Sequence, residues 1–576
     1  MKSDTGSELT DAFDRRAGMI GVLLCALVLA YFAMLSERFI FDFRYFTPIF
    51  FDLLYFSDQV AAAAGVLVCM AALLVREPRP FLRLVDFIDR HIGAVSVGSS
   101  VVFGVGALVA YRNYPLSMDE YAAVFQSKIF ASGHLVAHLP PSLVPWLVVP
   151  GFNGFFLFVS PETGHAIEAY WPGFALLLAP FQLVGIPWFC NAALAGLSVY
   201  LIHRITLDVT GDRRTAGWAI LFALASSAYW ANAISYYSMQ AHLTANLLYA
   251  WLLLKPSNIR CLAAGLTGSL ALILHNPVPH ALFALPWLLA IAVDRSAWRW
   301  LLPLTAGYIP GIVVGVAWAW LKGDILPATG SAAAMGDALG KIFVLPNSAI
   351  FNMRVAAAVK MWIWALPCLF YFAVLGFLRM RRNRHIRLLS LSAALTFLGY
   401  LFVPLDQGHG WGYRYFHSAW GVVPILAACA TIRRKEDQQG LLSFAGASAV
   451  LSLVVLVPFQ LWQIHHFIGR HLAMVPEARR PGGHVFFVDP EAGHYLGDMI
   501  QLDPGLRSRD LVLMSRGREL DTELMRQNWP DAVRCGGAAG VDQWCAGAAR
   551  PSVTDNGHFM PGFTDAKPSS EAFKHK

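Results

Sequence analysis

Residues 92–135 read IGAVSVGSSVVFGVGALVAYRNYPLSMDEYAAVFQSKIFASGHL, an apolar run of membrane length followed closely by an acidic pair. The run at 92–111 carries no charged residue, and Asp119 and Glu120 come shortly after it. A carboxylate at a membrane boundary keeps its charge only where water, a cation or a cavity supports it, so the pair is a candidate functional site. The alternative interpretation is structural, because an Asp that begins a helix can cap its free N–H groups.

The composition of the whole chain predicts a membrane protein with many spans. Of the 576 residues, 56% are hydrophobic and only 14% are charged, and the mean hydropathy is +0.51. These values exclude an ordinary soluble globular protein. About thirteen apolar segments are long enough to cross a bilayer. They lie near residues 18–36, 57–75, 92–111, 187–203, 215–236, 241–254, 261–275, 278–293, 300–321, 356–377, 388–405, 417–432 and 440–464.

The distribution of basic residues predicts the orientation of these spans. Lys and Arg cluster in one set of alternate connections, such as 76–90, 204–214, 379–387 and 433–435, which the positive-inside rule places in the cytoplasm. The other connections, which include the long loop at 112–186, then face outward. The predicted location is the bacterial inner membrane, with a cytoplasmic N-terminus and with Asp119 and Glu120 on the periplasmic side. An apolar run at 170–180 would invert every later loop if it spanned, so it is interpreted as an interfacial helix.

The segment after residue 465 is the one stretch with the length of a water-exposed domain. Two short strand patterns, GHVFFVDP and DLVLMSRG, and a helical pattern, ELDTELMRQNW, predict a small α/β domain. Cys535 and Cys545 are expected to form a structural disulfide, because their segment is placed outside the cytoplasm. The fold class is therefore an α-helical polytopic membrane protein with a small α/β periplasmic C-terminal domain. The predicted division is 1–91 for extra N-terminal spans, 92–464 for the main membrane module, and 465–576 for the C-terminal domain with a disordered tail.

Three further polar clusters fall on the predicted outward side of the membrane. They are SYYSMQAHLT with Tyr236, Tyr237 and His242, LHNPVPH with His275, Asn276 and His280, and DQGHGWGYRYFH with Asp406, His409, Arg414, Tyr415 and His417. Taken singly, an interfacial Tyr usually anchors a helix and a His at a helix end is usually a cap or solvated. Arg414 differs because it is the one basic residue in an aromatic, Gly-rich loop, and a planar guanidinium binds phosphate well.

Together, an outward carboxylate and an outward Arg suit a transfer reaction in which a lipid phosphate is the leaving group. The carboxylate would accept a proton from an acceptor hydroxyl, and the Arg would stabilise the charge that develops on the departing phosphate. No nucleotide is required, because sugar nucleotides are cytoplasmic. The sequence contains no phosphate-binding loop or nucleic-acid motif, so no nucleic-acid partner is expected.

The order of these motifs resembles that in the GT-C superfamily of membrane glycosyltransferases, in particular the bacterial branch of protein O-mannosyltransferases and lipid A aminoarabinose transferases. In that group an outer loop opens with an acidic motif and continues into a helix that ends near Ala-Ser-Gly, and MDEYAAVFQSKIFASGHL at 118–135 is similar. The segment EAYWPGFALLLAPFQLVG at 168–185 resembles the second interfacial helix of the group. SYYSMQAHLT and GWGYRYFHSAWGVVP resemble its later motifs. The resemblance covers roughly residues 92–464.

The resemblance implies roles for particular residues. Asp119 would be the catalytic base with Glu120 as its support, Arg414 would bind the donor phosphate and His242 would line the site. The aminoarabinose transferases have a Glu-Lys before a Pro-Pro, whereas this chain has Glu168 followed by Ala169, Tyr170 and Trp171. The remaining candidates for binding the donor phosphate or the substrate are Glu168, Tyr170, His275, His409 and Tyr415.

The implied donor is a sugar on a polyprenyl phosphate, and the acceptor is a glycolipid, a polysaccharide or a protein. No cofactor is expected and no metal ion is predicted, because no third ligand stands at convincing spacing from the acidic pair. Two alternatives stay open. One is a transporter or flippase of a lipid-linked glycan, and the other is an inactive membrane scaffold that binds glycan.

Overall fold

The structure is a computed structural model. It describes residues 57–325, 344–405, 407, 410–432, 439–474, 483–493, 496–508 and 510–546, together with residues 23, 26 and 27. Several features of the sequence analysis lie outside the described residues. They are the first predicted span at 18–36, Asp406, His409 and the predicted disordered tail from residue 551.

Helices dominate the described chain. In chain order they are α1 Gln59–Leu73, α2 Arg79–Arg90, α3 Ile92–Val109, α4 Met118–Ala131, α5 Val144–Leu147, α6 Gly173–Leu183, α7 Phe189–Thr210, α8 Arg213–Leu224, α9 Ser227–Ile234, α10 Met239–Leu254, α11 Asn258–Ile273, α12 Val278–Val293, α13 Leu301–Ile325, α14 Ser348–Ile363, α15 Leu369–Met380, α16 Arg384–Gly399, α17 Arg414–Trp420, α18 Val422–Cys429, α19 Gln439–Leu451, α20 Val457–Leu472 and α21 Arg518–Asn528.

The described residues form two compact units. Of the described residues, the first unit comprises those up to 113 and those within 188–314 and 344–465, and the second comprises those within 114–187, 315–325 and 466–546. The predicted domain boundary lies at residue 465, whereas the second unit combines the segment after that point with the loop at 114–187. Helix α13 contributes its first part to the first unit and its last part to the second.

The first unit has the surface of an integral membrane protein. On α3 the side chains of Val97, Val101, Val105 and Val109 are exposed. Such apolar stripes on the outside of a helix are stable in lipid and costly in water. By length and composition, five helices within the described residues could cross a membrane, or six if one bent pair counts as a single span. Within the described residues, the predicted count of about thirteen spans is therefore not confirmed.

Two predicted spans are broken, and residues at the two breaks are hydrogen-bonded to each other. The segment predicted as 215–236 is α8 followed by α9, bent by 67°, and the one predicted as 356–377 is α14 followed by α15. Pro367 accounts for the second break, since proline lacks an N–H and disfavours helix in the preceding residue. The N–H of Leu366 donates to Ser226 Oγ at 3.0 Å, and the N–H of Ala228 donates to the Trp364 carbonyl at 2.7 Å. These bonds satisfy backbone groups that the breaks would leave unpaired in lipid.

A third predicted span, 417–432, is also divided. It consists of α17 and α18, which meet at Gly421. Pro424 explains the break, because it cannot donate to the carbonyl four residues earlier. Gly421 also packs against α10, where an added Cβ would lie 3.1 Å from Leu243 and from Leu247.

The second unit contains two small sheets. In the loop at 114–187, strands β1 Ala137–His138, β2 Leu157–Val159 and β3 His165–Glu168 form an antiparallel sheet in the order β1-β3-β2. The C-terminal segment adds β4 Gly483–Val488, β5 Leu511–Met514, β6 Val533–Ala538 and β7 Val541–Ala546 in the order β5-β4-β7-β6. Strands β4 and β5 and helix α21 match the patterns in the sequence. The other strands were not predicted, and a disulfide between Cys535 and Cys545 joins β6 to β7.

One hydrophobic core connects the parts of the second unit. Tyr121 and Phe125 of α4 belong to the same buried cluster as Leu513 of β5 and Met525 of α21. Helix α4 is consequently buried around most of its circumference. Helix α6 has only 11 residues, a length that agrees with the prediction that 170–180 does not span.

Candidate active site

The acidic pair lies in the first turn of α4. Ser117 is the N-cap residue with an extended backbone, so Asp119 is the second residue of the helix rather than its cap. Glu120 is fully buried, and its carboxylate accepts a hydrogen bond from the N–H of Leu116 at 2.9 Å. A Glu at this position commonly reaches back to the backbone ahead of the helix. The structure therefore gives Glu120 a local role in holding the start of α4.

Asp119 is half-buried and bonds to a second predicted site residue. The phenol of Tyr170, 51 residues later, donates a hydrogen bond to Asp119 Oδ1. The end of α13 holds the backbone of this tyrosine, because Trp318 Nε1 donates to the Tyr170 carbonyl at 2.8 Å and Lys322 donates to the Ala169 carbonyl. The fold thus brings together a carboxylate and a phenol that retain access to solvent.

A third acid, which the sequence analysis missed, lies at the same helix N-terminus. Asp498 comes from a 3₁₀ turn, Gly497–Met499, and its Oδ1 accepts the N–H of Met118 at 2.7 Å. Burial raises the pKa of Asp498 to about 7, and the charge of Asp119 acts in the same direction, while the bond from Met118 opposes the shift. An isolated Asp in the apolar run YLGDMI carries no motif, so only the tertiary structure reveals it.

Glu168, another predicted site residue, ends strand β3. Its side chain is 1% exposed, and its backbone N–H donates to Gln126 Oε1 on α4 at 3.1 Å. Burial raises the pKa of Glu168 well above its ordinary value, and the charge of Lys322 opposes this shift. Lys322 was not a predicted site residue. It supplies an ammonium beside the segment that carries Glu168 and Tyr170.

The other predicted site residues belong to the first unit. Arg414 begins α17 and is 7% exposed. Its backbone N–H donates to Gln407 Oε1 at 3.0 Å, and its guanidinium donates to the Gln407 carbonyl. The guanidinium carbon lies 4.4 Å from the ring centre of Tyr237 and 5.7 Å from that of Tyr415. Tyr415 in turn stacks on Tyr400 with 4.8 Å between ring centres.

Two of the predicted histidines, His242 on α10 and His280 on α12, are buried. His242 is fully buried, and neither of its ring nitrogens has a hydrogen-bond partner within the described residues. His280 is held between Asn246 Oδ1 and the hydroxyl of Tyr308, each at 2.8 Å. The half-buried His275 lies in the connection between α11 and α12. The described residues contain no group of three or more His, Cys, Asp or Glu that could hold a metal ion.

Comparison with solved structures finds two groups of neighbours. ArnT from Cupriavidus metallidurans, bound to undecaprenyl phosphate, is 14% identical with a TM-score of 0.49, and the alignment covers 80% of this chain and 99% of that chain. The oligosaccharyltransferase of Archaeoglobus fulgidus in the apo form is 12% identical with a TM-score of 0.37, covering 64% and 56% of the two chains.

No protein-family model matches the chain, and no curated protein matches it. Identities of 14% and 12% with TM-scores of 0.49 and 0.37 do not indicate a shared activity.

Proposed function

We propose that the chain is a membrane glycosyltransferase that moves a sugar from a polyprenyl-phosphate donor to an extracytoplasmic acceptor, with Asp119 as the general base. The observation that carries this proposal is the contact between Asp119 and Tyr170 in the first turn of α4. In the sequence, this turn follows directly on an apolar helix of membrane length. Catalytic carboxylates need both a fixed orientation and access to substrate, and the half-buried Asp119 has both.

The position in the helix supports the role of a base. The free N–H groups of a first turn favour negative charge, so a carboxylate there is stabilised in the form that accepts a proton. Glu120 and Asp498 each accept a backbone N–H and are almost fully buried, which makes them less suited to reach a substrate. Tyr170 fixes the orientation of Asp119 by donating to its Oδ1 oxygen.

In the proposed transfer step, the acceptor hydroxyl oxygen forms a bond to the anomeric carbon of the sugar as its proton passes to Asp119. The bond between the anomeric carbon and the phosphate oxygen breaks, and its electron pair leaves with the polyprenyl phosphate. Arg414 is proposed to stabilise the charge on that phosphate, because a guanidinium has several donors in a fixed plane. His242, His275, His409 and Tyr415 are proposed to line the donor site, and Glu168 to contribute to the substrate site.

The proposed location is a bacterial inner membrane, with the second unit in the periplasm. Two features support it. Lys and Arg cluster in alternate connections between the predicted apolar segments, the pattern that the positive-inside rule expects of a cytoplasmic face. The disulfide between Cys535 and Cys545 is of the kind that persists in an oxidising compartment.

A transfer assay tests the proposal. The purified full-length protein in detergent is incubated with a panel of radiolabelled undecaprenyl-phosphate sugars and with a membrane extract as the source of acceptors. We expect label to move from one donor to a product, and the Asp119→Asn variant to lose this transfer by at least about 100-fold with an unchanged melting temperature. Full transfer by Asp119→Asn would show that the base is misassigned.

A buried ion pair favours a second candidate, a transporter of a lipid-linked glycan. Lys360 Nζ lies 2.9 Å from Asp58 Oδ2, Trp364 Nε1 donates to Asp58 Oδ1 at 3.0 Å, and the two charged side chains are at most 1% exposed. Ionisable residues buried in a membrane often belong to transport pathways. Translocation of a fluorescent undecaprenyl-phosphate sugar across liposomes, lost in Asp58→Asn but kept in Asp119→Asn, would favour the transporter.

A further inference from the structure

The segment at 497–502 contacts the start of α4 at three points. Asp498 Oδ1 accepts the N–H of Met118 at 2.7 Å. The hydroxyl of Tyr121 donates to the Leu502 carbonyl at 2.7 Å and accepts the Leu502 N–H at 3.0 Å. Gln501 Nε2 donates to the Pro115 carbonyl at 2.6 Å and to the Asp498 carbonyl at 2.9 Å. We name residues 497–502 the clamp segment.

We propose that Asp498, supplied by the clamp segment, is a positioning residue that holds the helix turn carrying Asp119. The C-terminal segment is then a part of the active site rather than an appended domain. This inference rests on the proposed function of Asp119, but the contacts that carry it do not depend on which sugar or acceptor is used.

The physical reason lies in the free N–H groups at the start of a helix. The first N–H groups of α4 have no partner inside the helix, and Ser117 makes no side-chain cap bond. Asp498 satisfies the N–H of Met118, which directly precedes Asp119, and a hydrogen bond that involves a carboxylate is stronger than a neutral one. Without it the first turn would fray, and the carboxylate of Asp119 would lose its fixed direction.

The charge of Asp498 adds a dependence on pH. The ionisable groups that interact with its charge are Asp119 on α4 and Tyr114 in the preceding connection. Its pKa of about 7 means that it is neutral in mildly acidic solution and ionised in mildly alkaline solution. A second negative charge near Asp119 favours the uptake of a proton by Asp119. We therefore expect the transfer rate to rise in a step near neutral pH.

Two variants separate position from charge. Asp498→Asn keeps an oxygen that accepts the Met118 N–H but removes the charge, whereas Asp498→Ala removes both. The matched control is Asp521→Asn, another buried acid in the C-terminal segment. Asp521 accepts Trp146 Nε1 at 3.0 Å and the Arg516 N–H at 2.9 Å, and these contacts do not involve α4.

The first readout is amide hydrogen exchange of the full-length protein, measured by mass spectrometry on peptides that cover residues 114–125. Asp498→Ala is expected to speed exchange at the start of α4 by about tenfold or more, whereas Asp498→Asn and Asp521→Asn leave it close to wild type. Unchanged exchange in Asp498→Ala would overturn the positioning role. This readout needs no substrate, so it separates a failure of the clamp from a failure of the proposed enzyme activity.

The second readout is sugar transfer against pH with the donor panel described above. We expect Asp498→Ala to lower the rate about tenfold or more at every pH, because small displacements of a catalytic group are costly. Asp498→Asn is expected to keep most of the rate at pH 6 and to lose the step near pH 7. An equal loss of rate in Asp521→Asn, or an intact step in Asp498→Asn, would overturn the inference.

Discussion

The two compact units use their buried polar groups in different ways. In the first unit several of these groups pair with one another, as when Asp58 pairs with Lys360 and His280 is held between Asn246 and Tyr308. In the second unit three carboxylates gather at the N-terminus of α4, and backbone N–H groups hold two of them. This difference shows that a carboxylate side chain is not by itself enough to identify the candidate base. Asp119 differs from its two acidic neighbours because it is the one that is half-buried and oriented by a phenol.

The largest expected effect comes from comparing Asp119 with Glu120. Asp119→Asn should lower the transfer rate by about 100-fold or more, because a general base contributes that much. Glu120→Gln should lower it less than about tenfold, since the amide still accepts the Leu116 N–H. Rates and melting temperatures of both purified variants check this. An equal loss in the two variants would mean that the pair acts as one unit, and that Asp119 and Glu120 do not have separate roles.

The next largest effect is expected for Arg414, the proposed phosphate-binding residue of the first unit. Arg414→Ala should lower transfer by about 100-fold, the scale of losing one donor to a developing oxyanion. Arg414→Lys should recover little of it, because lysine lacks the planar fork. Arg260→Ala is the matched control. Arg260 also donates to backbone carbonyls and lies 4.9 Å from the ring centre of Trp251, but it belongs to the first turn of α11, at an end of the helix that the positive-inside rule predicts to be cytoplasmic.

If Arg260→Ala lost as much transfer as Arg414→Ala, both effects would reflect a disturbed fold. A melting curve for each variant distinguishes these outcomes. Full transfer by Arg414→Ala would remove this residue from the donor site.

A smaller effect is expected from the phenol in the second unit. Tyr170→Phe removes the hydroxyl that donates to Asp119 and should lower kcat about tenfold with little change in KM, since one hydrogen bond to a charged group is lost. Tyr308→Phe removes a hydroxyl bonded to His280 in the first unit and serves as the control. Steady-state kinetics with the labelled donor measure both. A change confined to KM in Tyr170→Phe would assign the phenol to substrate binding.

The smallest effect is one of stability. Asp498 has a higher pKa in the folded protein than its ordinary value of 3.8, so the folded state binds its proton more tightly. Stability contributed by this group is therefore lost as pH rises from about 4 to about 7. Asp498→Asn removes this loss, so its melting temperature relative to wild type should increase between pH 4 and pH 8. A difference that is constant with pH would show that Asp498 does not titrate in this range.

Part of the architecture could be predicted from the sequence because it depends on local patterns. Apolar runs became the helices α3, α7 and α12, and the two strand patterns after residue 465 became β4 and β5. The breaks at Gly421 and Pro367 were missed, because hydropathy averages over a window and does not register one proline. The strands in the loop at 114–187 were missed because they are two to four residues long and are stabilised by pairing with one another.

The candidate site was also predicted only in part, because only some of its residues belong to local sequence patterns. Asp119 and Tyr170 each belong to a recognisable segment, but no pattern in the sequence indicates that they bond to each other. Asp498 and Lys322 could not be found at all, since each reaches the site from a distant part of the chain. A single Asp or Lys carries no signal until its neighbours in space are known.

The sequence by itself determined the membrane environment and the acidic turn after the apolar run at 92–111. These properties follow from composition and local order, which act over a few residues. The tertiary structure alone decided which acid is half-buried, which acid accepts a backbone N–H from a distant segment, and that the C-terminal segment shares a core with the loop at 114–187. Burial and hydrogen bonding depend on groups far apart in the chain, so only the folded arrangement can distinguish Asp119 from Glu120 and Asp498.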